Sequence, residues 1–438
     1  MISGDGPATT SLMQPPINHR HLIDSAVARY GLALVVAFAA PFMAYLLAED
    51  IPQVLRPWRQ YETPFYGTVR PWEGPVEPPK QWRENVEVLK RVPMPKTVKG
   101  IYMSASAAGD KRFLSRLVGL VERTELNTLV IDVKNGNGQL AFKTDRAELK
   151  AYVEKRPSLG ELKEFLKPLH EKDIYLIARM TVFQDPSFTE RHPEWAVKRP
   201  DGGLWRDRRG IPWLDPAASD AWGYTVATAR AAYDAGFDEV QFDYIRFPSD
   251  GNMQAIIYPH LPAGRTKMQN MEIFFKYLDA ELRRSPRIPL SIDLFGLVMV
   301  QHEYDLNIGQ RLRDALPYFD AISPMMYPSH YAAGFDGFAN PAAHPAEVIR
   351  SNMRQGNQLI SALQAAAAVR SAAEPDWQPP VLATFRPWLQ DFDMGADYTP
   401  AMVRGQIDEA EKGGASGWLL WNAGNVYTEA ALVKDEVK

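Results

Sequence analysis

From Lys99 to Tyr427 the chain alternates between two hydrophobic rhythms. Short runs of consecutive apolar residues are followed by longer stretches in which apolar side chains recur every three to four positions, the pattern of strands buried on both faces alternating with amphipathic helices. The runs predict strands at Gly100–Ser104, Thr128–Val133, Tyr175–Met180, Glu239–Tyr244, Leu290–Leu294, Ala321–Met326, Val381–Phe385 and Trp418–Trp421. Between them the helical spacing falls on Lys111–Arg123, Ser158–Glu171, Ser219–Ala235, Met268–Arg284, Ile308–Leu316, Pro345–Ala368 and Pro400–Lys412, with Asp215-Pro216 read as the opening of the third. Eight such units predict an α/β fold, a (β/α)8 TIM barrel over residues 98–438. A doubly wound sheet is disfavoured because Ser104–Gly109, after the first strand, does not form a GxGxxG turn.

A third rhythm precedes the barrel. Tyr30–Ala48 carries no charged residue, and its nineteen residues as a helix would span about 28 Å, close to the roughly 30 Å of a bilayer core. Arg20 and Arg29 stand before it and Glu49 and Asp50 after it. The expectation is a single transmembrane signal anchor at 30–48, with residues 1–29 cytoplasmic and the barrel on the periplasmic or extracellular side. A cleaved signal peptide ending at Ala48 and a buried core helix are the competing readings. Residues 51–97 hold nine prolines, so 49–97 is read as a stiff linker. Its aromatics, Trp58, Tyr61, Phe65, Tyr66, Trp72 and Trp82, suggest that part of it lies along the outside of the barrel.

Composition narrows the function. A net charge of −4 argues against nucleic acid as a partner. The absence of cysteine removes thiol nucleophiles and thiolate metal sites; apart from His19-Arg20-His21 near the start of the chain the eight histidines are scattered, and none shows HExxH spacing, so no metal and no cofactor is expected. Eleven Trp and eighteen Tyr supply rings for core packing or for stacking on sugars.

In this fold, chemistry sits at the C-terminal ends of the strands. Those ends offer Asp132 and Lys134 on the second strand, Arg179 on the third, Gln241, Asp243 and Arg246 on and after the fourth, Asp293 on the fifth, Tyr327 on the sixth, Arg386 and Trp388 on the seventh and Trp421 on the eighth. By the period-two rule Gln241 and Asp243 share one face. Asp243 among apolar neighbours must be paired, with Arg179 or Arg246. It is then either a structural ion pair or a carboxylate kept ionised to meet an oxocarbenium ion. The long loop Asp185–Leu214 carries His192, Trp195, Trp205 and Trp213 and reads as a wall of the cleft.

The string Gly236-Phe237-Asp238-Glu239-Val240-Gln241-Phe242-Asp243-Tyr244-Ile245-Arg246-Phe247-Pro248 resembles the fourth-strand signature of a bacterial family of glycoside-hydrolase-like barrels. So do Lys99–Tyr102, Asp132–Lys134, Trp213–Pro216 and Pro324–His330. More distantly it is similar to the α-amylase and α-galactosidase clans, and that resemblance implies Asp243 as nucleophile. It also resembles chitinases, but Gln241 and Ile245 stand where those carry Asp and the catalytic Glu. Asp293 is the first choice for the acid, with Asp132 and Glu303 as fallbacks. Lys134, Arg179 and Arg246 bind acidic sugars or merely neutralise the carboxylates, while Tyr327, Trp388 and Trp421 are sugar platforms or barrel-top packing. The expectation is a hydrolase of O-glycosidic bonds in an extracytoplasmic polysaccharide, anchored to the membrane. A non-catalytic glycan-binding barrel is the alternative, and a metal-dependent deacetylase is disfavoured by the missing histidine spacing.

Overall fold

The computed structural model describes residues 90–284 and 286–434. The strands are β1 (Val98–Met103), β2 (Thr128–Asp132), β3 (Tyr175–Thr181), β4 (Glu239–Asp243), β5 (Leu290–Phe295), β6 (Ala321–Met325), β7 (Thr384–Phe385), β8 (Trp388–Gln390) and β9 (Gly417–Trp421). All pair in parallel, in the order β5-β4-β3-β2-β1-β9-β8-β6-β7, and β5 also pairs β6, which closes the ring. The result is an eight-stranded closed parallel barrel. Its seventh stave is broken in two, β7 pairing Ala321 and Ile322 and β8 pairing Met325 of the same neighbour. Pro387 sits at the break and has no N–H to give a ladder. The expected strand Val381–Phe385 therefore starts three residues late and resumes beyond the proline.

The outer layer includes α1 (Lys111–Arg123), α2 (Leu162–His170), α3 (Trp222–Asp234), α4 (Lys267–Leu282), α5 (Leu312–Ala315), α6 (Pro345–Ala373) and α7 (Pro400–Lys412). Outward residues of the strands pack beneath them; Phe242 of β4, for example, meets Phe319, which also contacts Phe275 of α4. Two helical expectations are corrected. Asp215 does not cap the third helix: its carboxylate accepts from Ala217 N–H and His260 N–H, a turn that ties the loop down before α3 begins. The stretch from Ile308 is helical only at 312–315, because Leu306, Asn307 and Gly309 adopt positive φ, which a helix does not accommodate.

The bore is not uniformly apolar. Val92, Val98, Val130, Ile177 and Leu419 fill it with Tyr102, Tyr175, Tyr327 and Trp388. Period two also turns Glu239, Gln241 and Asp243 inward, one above another along β4. The end of the linker closes the bottom: Val92 is buried beneath the strands, its N–H donating to Asp238, and Arg91 donates to the carbonyls of Tyr233 and Phe237. Lys90 reaches Asp173 and the carbonyl of His170. The anchor expected at 30–48, the segment 1–29 and the linker up to residue 89 lie outside the described residues. Among the described residues no helix is long and apolar enough to cross a membrane.

Candidate functional site

Register brings the site together. Asp132 pairs Arg179 across β2 and β3, and Thr181 pairs Asp243 across β3 and β4. Arg179 thus rises in the bore between three inward carboxylates. Nη1 is bonded to Asp132, Nη2 to Asp243, and Nε lies 3.5 Å from Asp293. The guanidinium also bears on the rings of Trp421, at 5.0 Å, and Tyr102, at 5.4 Å. Those two rings stack at 4.0 Å, and the Tyr102 hydroxyl donates to Asp132 at 2.6 Å. Sequence reasoning noted Tyr102 as part of a first-strand motif but gave it no role; its position at an inward strand end was the available signal.

The three carboxylates differ in their partners. Asp243 accepts from Arg179 on Oδ2 and from the backbone N–H of Tyr244 on Oδ1, at 2.6 Å. Both of its oxygens are thus held by donors. Tyr244 has a φ of 51°, a left-handed conformation in a non-glycine residue where the chain turns away from the end of β4. Asp293 receives one hydrogen bond, from Trp388 Nε1 to Oδ1 at 2.7 Å, and Oδ2 has no hydrogen-bond partner. Burial, and then the charge of Asp243, raises its pKa well above the ordinary carboxylate range, against the pull of Arg179 and Trp388. Burial also raises Asp132, opposed by Arg179 and the Tyr102 hydroxyl. Three carboxylates around one guanidinium carry a surplus negative charge, and a proton on Asp293 Oδ2 relieves it.

The site is sheltered. The side chain of Asp132 is 16% exposed, that of Asp243 9% and that of Asp293 1%. Asp293 is therefore buried, but within the Asp243 cluster. Since one guanidinium touches both, their nearest oxygens lie within roughly 8 Å of each other. Glycosidase pairs span about 5 to 9.5 Å. Tyr327 is buried in the same layer, close enough to Asp293 and Asp243 for their charges to raise its pKa, burial being the larger cause.

Several sequence candidates sit elsewhere or are committed to other partners. Arg386 is buried lower in the bore, bonded to Glu239, which also accepts from the Tyr175 and Ser291 hydroxyls. It braces the barrel rather than meeting a ligand. Lys134 is buried on Asp185 at 2.6 Å and on the carbonyl of Thr181, so its charge is spent inside the protein. Trp388 is 1% exposed and is no sugar platform; its ring meets Trp421 edge-on and its N–H holds Asp293. Trp421 has one side on Tyr102 and remains half-buried. Glu303 is exposed and pairs with Arg313, outside the cluster. In the 185–214 loop Trp205 and Trp213 are buried, their N–H groups on Asn252 O and Asp207. The segment folds on itself through antiparallel bridges such as Lys198–Leu204 and Arg206–Pro212, and Glu190, Arg191, Arg206 and Arg209, not its buried tryptophans, line a surface depression.

The Arg386–Glu239 pair makes a clean prediction. Arg386→Met leaves a buried carboxylate without its cation and is expected to cost about 3 to 5 kcal/mol. Adding Glu239→Leu recovers most of that loss. Urea denaturation of the two variants measures both effects; an Arg386→Met protein of native stability, with altered ligand affinity, would return Arg386 to the binding site.

Among the described residues no group of His, Asp and Glu is arranged to hold a metal ion. A family model described as "Putative glycosyl hydrolase domain" matches residues 100–427. Solved structures similar to the chain include a hypothetical protein from Ruminiclostridium thermocellum ATCC 27405, at 32% identity over 44% of this chain and 96% of that one, with a TM-score of 0.40. The glycoside hydrolase domain of PgaB (BpsB) from Bordetella bronchiseptica matches at 14% identity over 75% and 95%, with a TM-score of 0.49. The α-galactosidase TtGalA from Thermus thermophilus matches at 12% over 78% and 60%, with a TM-score of 0.46. No curated protein matches.

Proposed function

The chain belongs to the glycosyl hydrolase domain family whose model spans residues 100–427, and from that membership we propose that it hydrolyses O-glycosidic bonds of a polysaccharide outside the cytoplasm, with Asp243 as nucleophile and Asp293 as acid/base. The observation that carries this reading is the opposite treatment of two carboxylates on one guanidinium. Each oxygen of Asp243 meets a donor, which fixes the orientation of the attacking carboxylate. Asp293 has an oxygen free of hydrogen bonds and a raised pKa, as a group that must carry a proton requires. In this mechanism Asp243 attacks the anomeric carbon while Asp293 Oδ2 protonates the departing oxygen. Water, deprotonated by Asp293, then releases the glycosyl-enzyme, and configuration is retained.

The test is a screen of cell-envelope and other polysaccharides for new reducing ends, followed by pH–rate profiles on the substrate found. Activity is expected to fall as pH rises through the raised pKa of Asp293, and Asp293→Asn is expected to remove that limb with most of the activity. If Asp132→Asn removes the limb instead, the acid is Asp132, whose side chain is the more exposed. Saturable glycan binding with no bond cleavage would make the barrel a binding module.

A further inference from the structure

We infer that Arg246 is the receptor for a carboxylate on the substrate, so that the glycan cleaved at Asp243 is an acidic one, built with uronic acid residues. This rests on the hydrolase reading and narrows it.

The three cations that the sequence offered to acidic sugars are separated by the structure. Lys134 is buried on Asp185, and Arg179 is shared among three aspartates. Arg246 has no carboxylate within ion-pair distance among the described residues, although it is 8% exposed. Its Nη1 donates to the carbonyl of Phe247 and to Ser249 Oγ, both at 3.1 Å. The Nε–Nη2 edge makes no hydrogen bond among the described residues. A guanidinium so desolvated is costly without a partner, and burial pulls its pKa below the ordinary arginine value, the charge of Asp243 being the chief opposing influence.

What surrounds it is a collar of rings. The guanidinium carbon lies 4.8 Å from the ring of Phe295, 5.0 Å from that of Trp213 and 5.5 Å from that of Tyr244. Rings hold a cation in place without neutralising it. Phe295 and Tyr244 are half-buried and continue the surface around Asp243 at the mouth. The free Nε–Nη2 edge offers two parallel N–H groups, the fork that matches a planar carboxylate. A single guanidinium with Asp243 nearby suits a singly charged carboxylate better than a dianionic phosphate ester.

The surface outside continues the same charge. Arg209 is near enough to Tyr244 for its charge to be felt there. It also lines a depression of about 680 Å³ formed by loops after β2 and β3, where Arg191 and Arg206 join it against one glutamate, Glu190. An acidic chain seated at Arg246 has a basic path to follow.

The probes are hexasaccharides of polygalacturonate, polyglucuronate and alginate, each beside its twin carboxyl-reduced to neutral sugars. Their binding is measured by calorimetry on the full chain carrying Asp243→Asn. At least one acidic hexasaccharide is expected to bind tenfold or more tightly than its twin. Arg246→Gln is expected to bring the two within twofold, and Arg246→Lys, with charge but no fork, to recover only part of the preference. If Arg246→Gln does not fold, Arg246→Lys alone decides by whether the preference shrinks. Equal binding of both twins, or a preference that survives both variants, overturns the proposal. Neutral glycans hydrolysed without acidic preference leave the hydrolase reading standing; no glycan bound or cleaved at all removes both.

Discussion

Asp243→Asn is expected to lower turnover at least about a thousandfold, equivalent to roughly 4 kcal/mol of barrier, while leaving glycan affinity nearly unchanged. The amide preserves the shape of the side chain, and its oxygen still accepts from the Tyr244 N–H or from Arg179. It has lost the electron pair that forms the glycosyl bond, so the defect belongs to kcat and not to binding. Asp243→Gly supplies a sharper measurement. Azide admitted into the vacated space attacks in place of the carboxylate and is expected to give a glycosyl azide of inverted configuration. An Asp243→Asn enzyme with kcat within tenfold of the unmodified chain would take the nucleophile away from β4.

The second large effect is on stability. Arg179→Met removes the cation shared by Asp132, Asp243 and Asp293 and is expected to cost about 3 to 5 kcal/mol at neutral pH. The loss carries a definite pH dependence. Asp293 and Asp132 already have pKa values raised in the folded chain, by burial first, and removing Arg179 raises them further. Between the unfolded carboxylate value of about 4 and the raised folded value, the native state binds more protons than the unfolded state. Stability therefore falls as pH rises through that window and is regained on acidification. Urea midpoints of Arg179→Met at pH 7.5 and pH 5.5 should differ more than those of the unmodified protein, with the variant recovering at the lower pH. A variant that melts alike at both would mean that the three carboxylates do not share a field.

Strand positions were legible because a parallel strand buried on both faces must be apolar, and β2, β3, β4 and β9 begin within one residue of their expected starts. The seventh stave was not, since the apolar run from Val381 drew the strand ahead of Pro387 while the pairing continues beyond it. Asp132, Arg179, Asp243 and Asp293 were legible from parity and strand ends alone. Arg386 shows the limit. It too stands at a strand end, but its partner Glu239 is 147 residues away and faces it across the bore. No local pattern states which inward residues meet across a barrel, nor at what height. The 185–214 loop does line a depression, but with arginines, since bridges within the loop turn Trp205 and Trp213 inward.

The plug at Val92 sets where load enters the barrel. Lys90, Arg91 and Val92 are pinned at the closed end, while Asp243 stands at the other. Tension applied at Lys90 is taken up by Tyr233, Phe237 and Asp238, at the foot of β4, and not at the strand ends that hold Asp132, Asp243 and Asp293. The carboxylate end is thus mechanically separated from the point where the chain enters.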